Sequence, residues 1–292
     1  MRKRKARKRA STSSKKGVLI IVGGSEDKKD EMKILSEVVS RTGSGKLLIV
    51  TAASNFAKDA WEAYERAFKS LGVKKIAHLH VEQPDEARDL QRIALFDGVT
   101  TVFFTGGDQL KITTKIGGSP LYDSIMEVLD QGGTIAGTSA GAAVMGQIML
   151  VGTQENPESH KVGNWSMSTG LGFVRNIVID QHFAQRGRIG RLLAAVAMNP
   201  GVLGIGIDEN TAIVVQEGKF RVLGENAVYV IDGHAVTHTN VSHASAKKTM
   251  SIHDVRLHVL GDGECFHLSS RKVIFDEEKG PSLSGESDRP SN

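Results

Sequence analysis

Apolar and polar positions along the first half of the chain follow two alternating periods. Val18–Val22 is an unbroken apolar run closed by Gly23-Gly24, the pattern of a strand buried on both faces. Residues 26–41 follow, with Met32, Leu35, Val38 and Val39 at helical spacing, which predicts a helix. The unit repeats with a strand over 46–51, an amphipathic helix over 57–71, a strand over 76–81, a helix over 84–96, a strand over 99–105, a helix over 121–131 and the strand that leads into Ser139. Strands alternating with helices predict an α/β fold, a mostly parallel sheet flanked by helices on both faces. In such sheets reactive groups gather beyond the carboxyl ends of the strands. Gly23-Gly24, Gly106-Gly107 and Ser139 all fall there, so three turns face one crevice.

Beyond residue 150 the period weakens, and Asn156-Pro157, Gly163-Asn164 and Gly170-Leu171-Gly172 predict loops near that crevice. Strands resume over 177–183, from Val202 to Asp208-Glu209, and over 212–216, 220–223 and 227–231, with a helix over 192–198.

With 292 residues, 40% of them hydrophobic, the chain can bury a sizeable core. No linker-like stretch divides its interior. We therefore expect one catalytic α/β domain over 17–275, between a basic disordered tail at 1–16 and a Ser/Gly/Pro/Glu-rich disordered tail at 276–292. The formal charge of +4 hides a split, because the first 16 residues hold nine Lys/Arg and no acid, leaving 28 basic against 33 acidic side chains in the remainder. The tail could grip nucleic acid or another polyanion, but like-charge blocks ordinarily stay solvated, so it is assigned no catalytic role. The basic start lacks the apolar core of a signal peptide, and no segment approaches the roughly 20 apolar residues that span a bilayer. A single cysteine, Cys265, allows no intrachain disulfide. These features point to a soluble cytoplasmic protein without membrane contact.

Thr134 to Gly146 reads T-I-A-G-T-S-A-G-A-A-V-M-G and places Ser139 between Gly137 and Gly141. In a G-x-S-x-G elbow, small neighbours let a strand turn sharply into a helix and push the hydroxyl into the open. The same pattern also fits an ordinary tight turn with an incidental serine, and the partners decide between the two. His182 ends a buried strand beside Asp180 and Gln181, whose burial without partners would cost a few kcal/mol. Glu209 follows the next apolar strand and can orient an imidazole that takes a serine proton. Arg186, Arg188 and Arg191 can converge on a carboxylate, and cations at a helix start make sense where an anion is held. Each residue alone has a plain structural alternative: a core histidine, a strand-end cap, a solvated basic surface. Neither a G-x-G-x-x-G nor a Walker pattern is present. Six histidines crowd the last third without ligand spacing, so no cofactor and no metal are expected.

The order serine, histidine, acid differs from that of an ordinary α/β-hydrolase. From about Gly17 to Phe275, G-G-S-E-D-K at 23–28, F-T-G-G-D-Q at 104–109, G-T-S-A-G-A at 137–142, D-Q-H-F at 180–183 and G-I-D-E at 206–209 together resemble the cyanophycinase family. These are serine exopeptidases related to the aspartyl dipeptidase called peptidase E. The resemblance implies a class I glutamine-amidotransferase-like fold, with Ser139 as nucleophile, His182 as general base and Glu209 as the acid behind it. It also implies oxyanion donors at the backbone N–H groups of Gly107 and Ala140, and a substrate pocket of Gln109, Asp180, Gln181, Arg186, Arg188 and Arg191. The implied substrate is cyanophycin, poly-aspartate carrying arginine on each β-carboxyl, cut through an acyl-enzyme to β-Asp-Arg dipeptides. On that reading the arginines take the free α-carboxylates and Asp180 takes the guanidinium, and the protein is a homodimer. An α-aspartyl dipeptidase of the peptidase E type and a catalytically silent polyanion-binding relative are the alternatives. Ser25 stands where the family often has alanine, and the basic tail is outside the family pattern.

Overall fold

The computed structural model describes residues 17–151, 166–243, 245 and 248–275. The two expected tails, and the expected loops at Asn156-Pro157 and Gly163-Asn164, lie outside the described residues.

Strand β1 (Val18–Val22) is buried along its whole length, as its unbroken apolar sequence requires. It lies inside a nine-stranded sheet, parallel to one neighbour and antiparallel to the other. Helix α1 (Lys33–Thr42) packs Ile34, Leu35 and Val38 on one face and stops at Gly43. It starts seven residues later than the period suggests. The Asp27 carboxylate collects the backbone N–H groups of Lys29, Asp30 and Met32 at 2.8 to 3.0 Å and winds 27–32 into a turn. Those donors pull its pKa down to about 2.

The parallel half of the sheet is completed by β2 (Lys46–Val50), α2 (Ala57–Ser70), β3 (Ile76–Leu79), α3 (Leu90–Ile93) and β4 (Val99–Phe104). The single helix expected over 84–96 is broken into a 3-10 turn at Pro84–Arg88, the four-residue α3 and a second 3-10 turn. Asp89 between them is extended, and its carboxylate caps Gln91 N–H. Helix α4 (Gln109–Ile116), absent from the sequence reading, follows, with Asp108 capping Leu110 N–H at 2.8 Å. Then come α5 (Pro120–Asp130), opened by Ser119 and Pro120, and β5 (Thr134–Thr138). Helix α6 (Ala140–Ala143) is a single turn.

The remaining strands are shared between two sheets, a division that the strand pattern does not show. A six-stranded sheet takes β6 (Gly146–Val151), β7 (Ser166–Thr169), β8 (Val174–Gln181), then, after α7 (Ile189–Met198), β9 (Leu203–Ile207). Next, β10 (Thr211–Gln216) and β11 (Lys219–Gly224) return to the first sheet, and β12 (Val228–Asp232) pairs with β9. After the small β13–β14 ribbon (His238–Thr239, Ile252–His253), β15 (Arg256–Leu260) edges the second sheet, and β16 (Cys265–His267) and β17 (Lys272–Ile274) edge the first. The first sheet runs β17-β16-β11-β10-β1-β5-β4-β2-β3 and the second β15-β12-β9-β8-β6-β7.

The result is a mixed α/β fold with helices on both sides, in which α1 and α2 cover one face of the first sheet. Its other face packs on α4, α5 and the second sheet in a core built around Ile21, Phe104, Ile135, Ile179 and Ile205. Helix α7 covers the outer face of the second sheet. This arrangement brings the carboxyl ends of β1, β4 and β5 up to those of β8 and β9.

Candidate active site

Five strand ends meet at one place. Ser139 N–H donates to Val22 O at 3.1 Å, His182 N–H to Gly23 O at 2.8 Å, Asn210 N–H to Gly24 O at 2.9 Å and Gly23 N–H to Thr211 O at 2.8 Å. The Gly23-Gly24 turn therefore joins the two sheets, with its backbone rather than its side chains as the cement. Gly24 has φ +106°, and a Cβ there would lie 2.2 Å from His182 Cε1. Only a residue without a side chain lets the turn pass so close to that ring.

Ser139 sits at φ 54° and ψ −114°, and His182 at φ 49°. A non-glycine residue in either conformation stores of the order of 1–3 kcal/mol, and such conformations cluster at functional sites. His182 Nε2 is 2.9 Å from Ser139 Oγ, and His182 Nδ1 is 2.5 Å from Glu209 Oε1. This geometry has Nδ1–H donating to Glu209 and Nε2 free to accept from the serine hydroxyl. The histidine is buried while Glu209 stays partly exposed, its N–H donating to Gln185 Oε1 at 3.1 Å. Burial pushes the His182 pKa below its ordinary 6.5, assisted by the cations of Arg186 and Arg188 and opposed by Glu209. The hydrogen bond from His182 in turn holds the Glu209 carboxyl below its usual range. A neutral imidazole beside a hydroxyl, backed by an ionised acid, is equipped to take a proton.

Gly107 lies beside this group at φ +141°, where a Cβ would meet Ala53 O at 2.2 Å. A Cβ on its neighbour Gly106 would stand 3.3 Å from Ser139 Cβ, so this turn borders the serine. Ala140 opens α6, where a helix leaves its first N–H groups without an internal acceptor. Gln109 begins α4, with its Nε2 donating to Leu150 O at 2.9 Å.

The pocket residues divide in a way that the sequence does not foretell. Asp180 is fully buried and Arg191 nearly so. Arg191 Nε donates to Asp180 Oδ2 at 2.5 Å and its Nη2 donates to Oδ1. Gln181 N–H and Arg188 Nη1 add donors to Oδ1 at 2.9 and 3.3 Å. Both residues were expected to face substrate, and in the structure they pair with each other. Asp180 Oδ1 takes three of these donors and Oδ2 one, and Arg191 meets a carboxylate that belongs to the protein. Asp180 supplies one anion beside these cations at a helix start. Arg188 also donates to Gln181 O at 2.5 Å and to Gln181 Oε1, and burial brings its pKa down to about 10. Arg186 is the exposed member of the three.

Sequence reasoning left two acids unassigned. Asp208 accepts Ala184 N–H at 2.8 Å and Ala227 N–H at 3.3 Å, pinning the chain just after His182. Glu26 is buried beside Thr138. Both stand in the quoted motifs, and acids at strand ends between glycines and small residues were the available signal. Among the described residues no three His, Cys, Asp or Glu side chains gather so as to hold a metal ion.

Residues 19–223 match the model of peptidase family S51. The chain is 38% identical over 272 residues to the cyanophycinase of Trichormus variabilis, covering 91% of this chain and 90% of the relative. It is 34% identical to that of Synechococcus elongatus, with 89% and 82% covered. It is also 34% identical to that of Geminocystis herdmanii, with 88% and 95% covered. In fold it is similar to the crystal structure of a peptidase from an acI-B1 Actinobacterium, at a TM-score of 0.67 and 19% identity over 87% of this chain and 98% of the other.

Proposed function

Starting from the chain's membership of peptidase family S51, we propose that it is a serine-type exopeptidase that hydrolyses cyanophycin to β-Asp-Arg dipeptides. The observation that carries this reading is the Ser139–His182–Glu209 chain of contacts at 2.9 and 2.5 Å. The similarity to cyanophycinases supports the substrate.

Ser139 Oγ attacks the carbonyl carbon of a backbone peptide bond while His182 Nε2 takes the hydroxyl proton. Glu209 keeps the imidazole in the tautomer with the proton on Nδ1 and stabilises the imidazolium. The N–H groups of Gly107 and Ala140 receive the oxyanion. Collapse breaks the C–N bond, the leaving amine takes the proton from His182, and an acyl-enzyme on Ser139 remains. Water, deprotonated by the same His182, then releases the dipeptide and restores the hydroxyl. Arg186, exposed beside the triad, takes an α-carboxylate of the polymer through charge-assisted hydrogen bonds.

The same reading makes the protein a cytoplasmic homodimer. No helix among the described residues is long and apolar enough to cross a membrane. Among the described residues the outer edge of β15 has no strand beside it, and Leu257 and Val259, each more than half exposed, make this strand a surface suited to a partner.

Incubation with purified cyanophycin, followed by mass analysis of the soluble products, tests the proposal. Release of β-Asp-Arg by the wild type and none by Ser139→Ala is the expected result. Free arginine as the sole product, or no product, refutes it.

A further inference from the structure

The triad accounts for neither the most buried glutamate of the site region nor its three donors. The Glu26 side chain is wholly buried. Its Oε2 accepts from Thr138 Oγ1 at 2.6 Å, and its Oε1 accepts from the Tyr64 hydroxyl. Lys28 Nζ lies 3.1 Å from the same Oε1 and 4.9 Å from the centre of the Tyr64 ring. Burial, together with the Glu26 charge, raises the Tyr64 pKa well above its ordinary value, so the phenol remains a donor. A buried carboxylate persists only when paired and hydrogen-bonded. These donors come from three places: the end of β5, the middle of α2 and Glu26's own loop.

Two of the connections lead to the reacting atoms. Thr138 immediately precedes Ser139, whose strained backbone is followed by one turn of helix and so has little local structure to hold it. Glu26 is two residues beyond Gly24, which passes within touching distance of the His182 ring, while Gly23 O accepts His182 N–H. One carboxylate thus ties the segment that carries the serine to the turn that seats the histidine. We infer that Glu26, through Thr138, is a positioning residue that sets the approach of Ser139 Oγ to His182 Nε2. This rests on Ser139 being the nucleophile.

The role is geometric. The charges that move the His182 pKa are those of Glu209, Arg186 and Arg188, with burial as the largest cause, and Glu26 is not among them. Loss of the Glu26 contact therefore disturbs distance and aim while leaving the titration of the base in place. A cross-link that served stability alone would change neither the rate of the folded enzyme nor the reactivity of its serine.

The test compares Thr138→Val, Thr138→Ser and Glu26→Gln with the wild type. Thr138→Val keeps the shape and deletes the hydroxyl, whereas Thr138→Ser keeps the hydroxyl. Each protein is measured for kcat and KM on a short β-Asp-Arg oligomer across pH, for the rate of covalent labelling by a small fluorophosphonate, and for Tm. Folded Thr138→Val is expected to lose about 10- to 100-fold in both kcat and labelling rate, with KM nearly constant and the acid-side pH midpoint unmoved. Thr138→Ser is expected to recover most of both rates, and Glu26→Gln to follow Thr138→Val. Should Glu26→Gln fail to fold, the Thr138 pair still decides. Wild-type labelling and kcat in folded Thr138→Val, equal losses in the Ser and Val variants, or a displaced pH midpoint overturns the inference. Mass mapping of the label locates the nucleophile separately: a wild-type label on another residue overturns the nucleophile assignment, and the inference with it. A label on Ser139 with unaltered Thr138→Val kinetics overturns the inference alone.

Discussion

Arg191 lies against Asp180 with two guanidinium nitrogens on two carboxylate oxygens, and both side chains are shut away from solvent. The pair links the end of β8, which delivers His182, to the first turn of α7.

Breaking such a pair from one side leaves an unpaired buried charge, which costs about 3–5 kcal/mol. Asp180→Asn and Arg191→Met are therefore expected to lose about that much stability, measured as the shift of the urea midpoint multiplied by the slope. Arg186→Met, on the surface, is expected to stay within about 0.5 kcal/mol of the wild type. Near-wild-type stability in Asp180→Asn would contradict this cost.

The acid limb of kcat/KM follows from the His182 environment. Catalysis needs the neutral imidazole, so activity rises as pH climbs through its pKa. Burial and the two nearby arginines lower that pKa, so the half-maximal point falls below 6.5. Arg186→Met removes one of the cations that disfavour protonation, so the midpoint moves upward towards neutrality. Profiles of both proteins on a short soluble substrate check the sign, and a downward shift would contradict it.

The meeting of Ser139, His182 and Glu209 was legible because each stands at the carboxyl end of an apolar strand, where an α/β sheet collects its chemistry. The partners of Asp180 and Arg191 were not legible. They stand eleven positions apart with a left-handed turn at Gly187 between them, and their contact depends on how α7 packs back on β8. The same gap explains the two sheets. The period of β8 or β9 reports that a strand is buried, while its neighbour is chosen by tertiary packing. Helix α4 was missed because Ile112-Thr113-Thr114 has β-branched residues with poor helix propensity, and the Asp108 cap and the packing of Ile112 and Ile116 override it. Glu26 stood in a quoted motif, yet its donors Thr138 and Tyr64 arrive from 112 and 38 residues away.

Gly24→Ala makes a sharp probe of the histidine seat. The new Cβ would need the space of the His182 ring, at 2.2 Å from Cε1, and alanine resists φ +106°. The ring must then move away from Ser139. A displacement of about 1 Å at a reacting group costs on the order of 100-fold. The expected outcome is a folded protein, by circular dichroism, whose kcat falls by about that factor. Undiminished kcat would mean that the imidazole finds its working position without this turn.

The final prediction concerns Ser139 and His182 as one unit. In the proposed mechanism the imidazole, 2.9 Å from the serine and backed by Glu209, has no separate work to do once the hydroxyl is gone. Ser139→Ala and His182→Ala are each expected to reduce kcat by several orders of magnitude, and the double variant is expected to be no slower than the worse of the two. Independent contributions would instead multiply, placing the double variant orders of magnitude below either single one. The comparison calls for single-turnover rates on a short β-Asp-Arg oligomer with enzyme in excess, since residual activity is small and a trace of wild type would mask it. A multiplicative result would separate His182 from the nucleophile and require another base for Ser139.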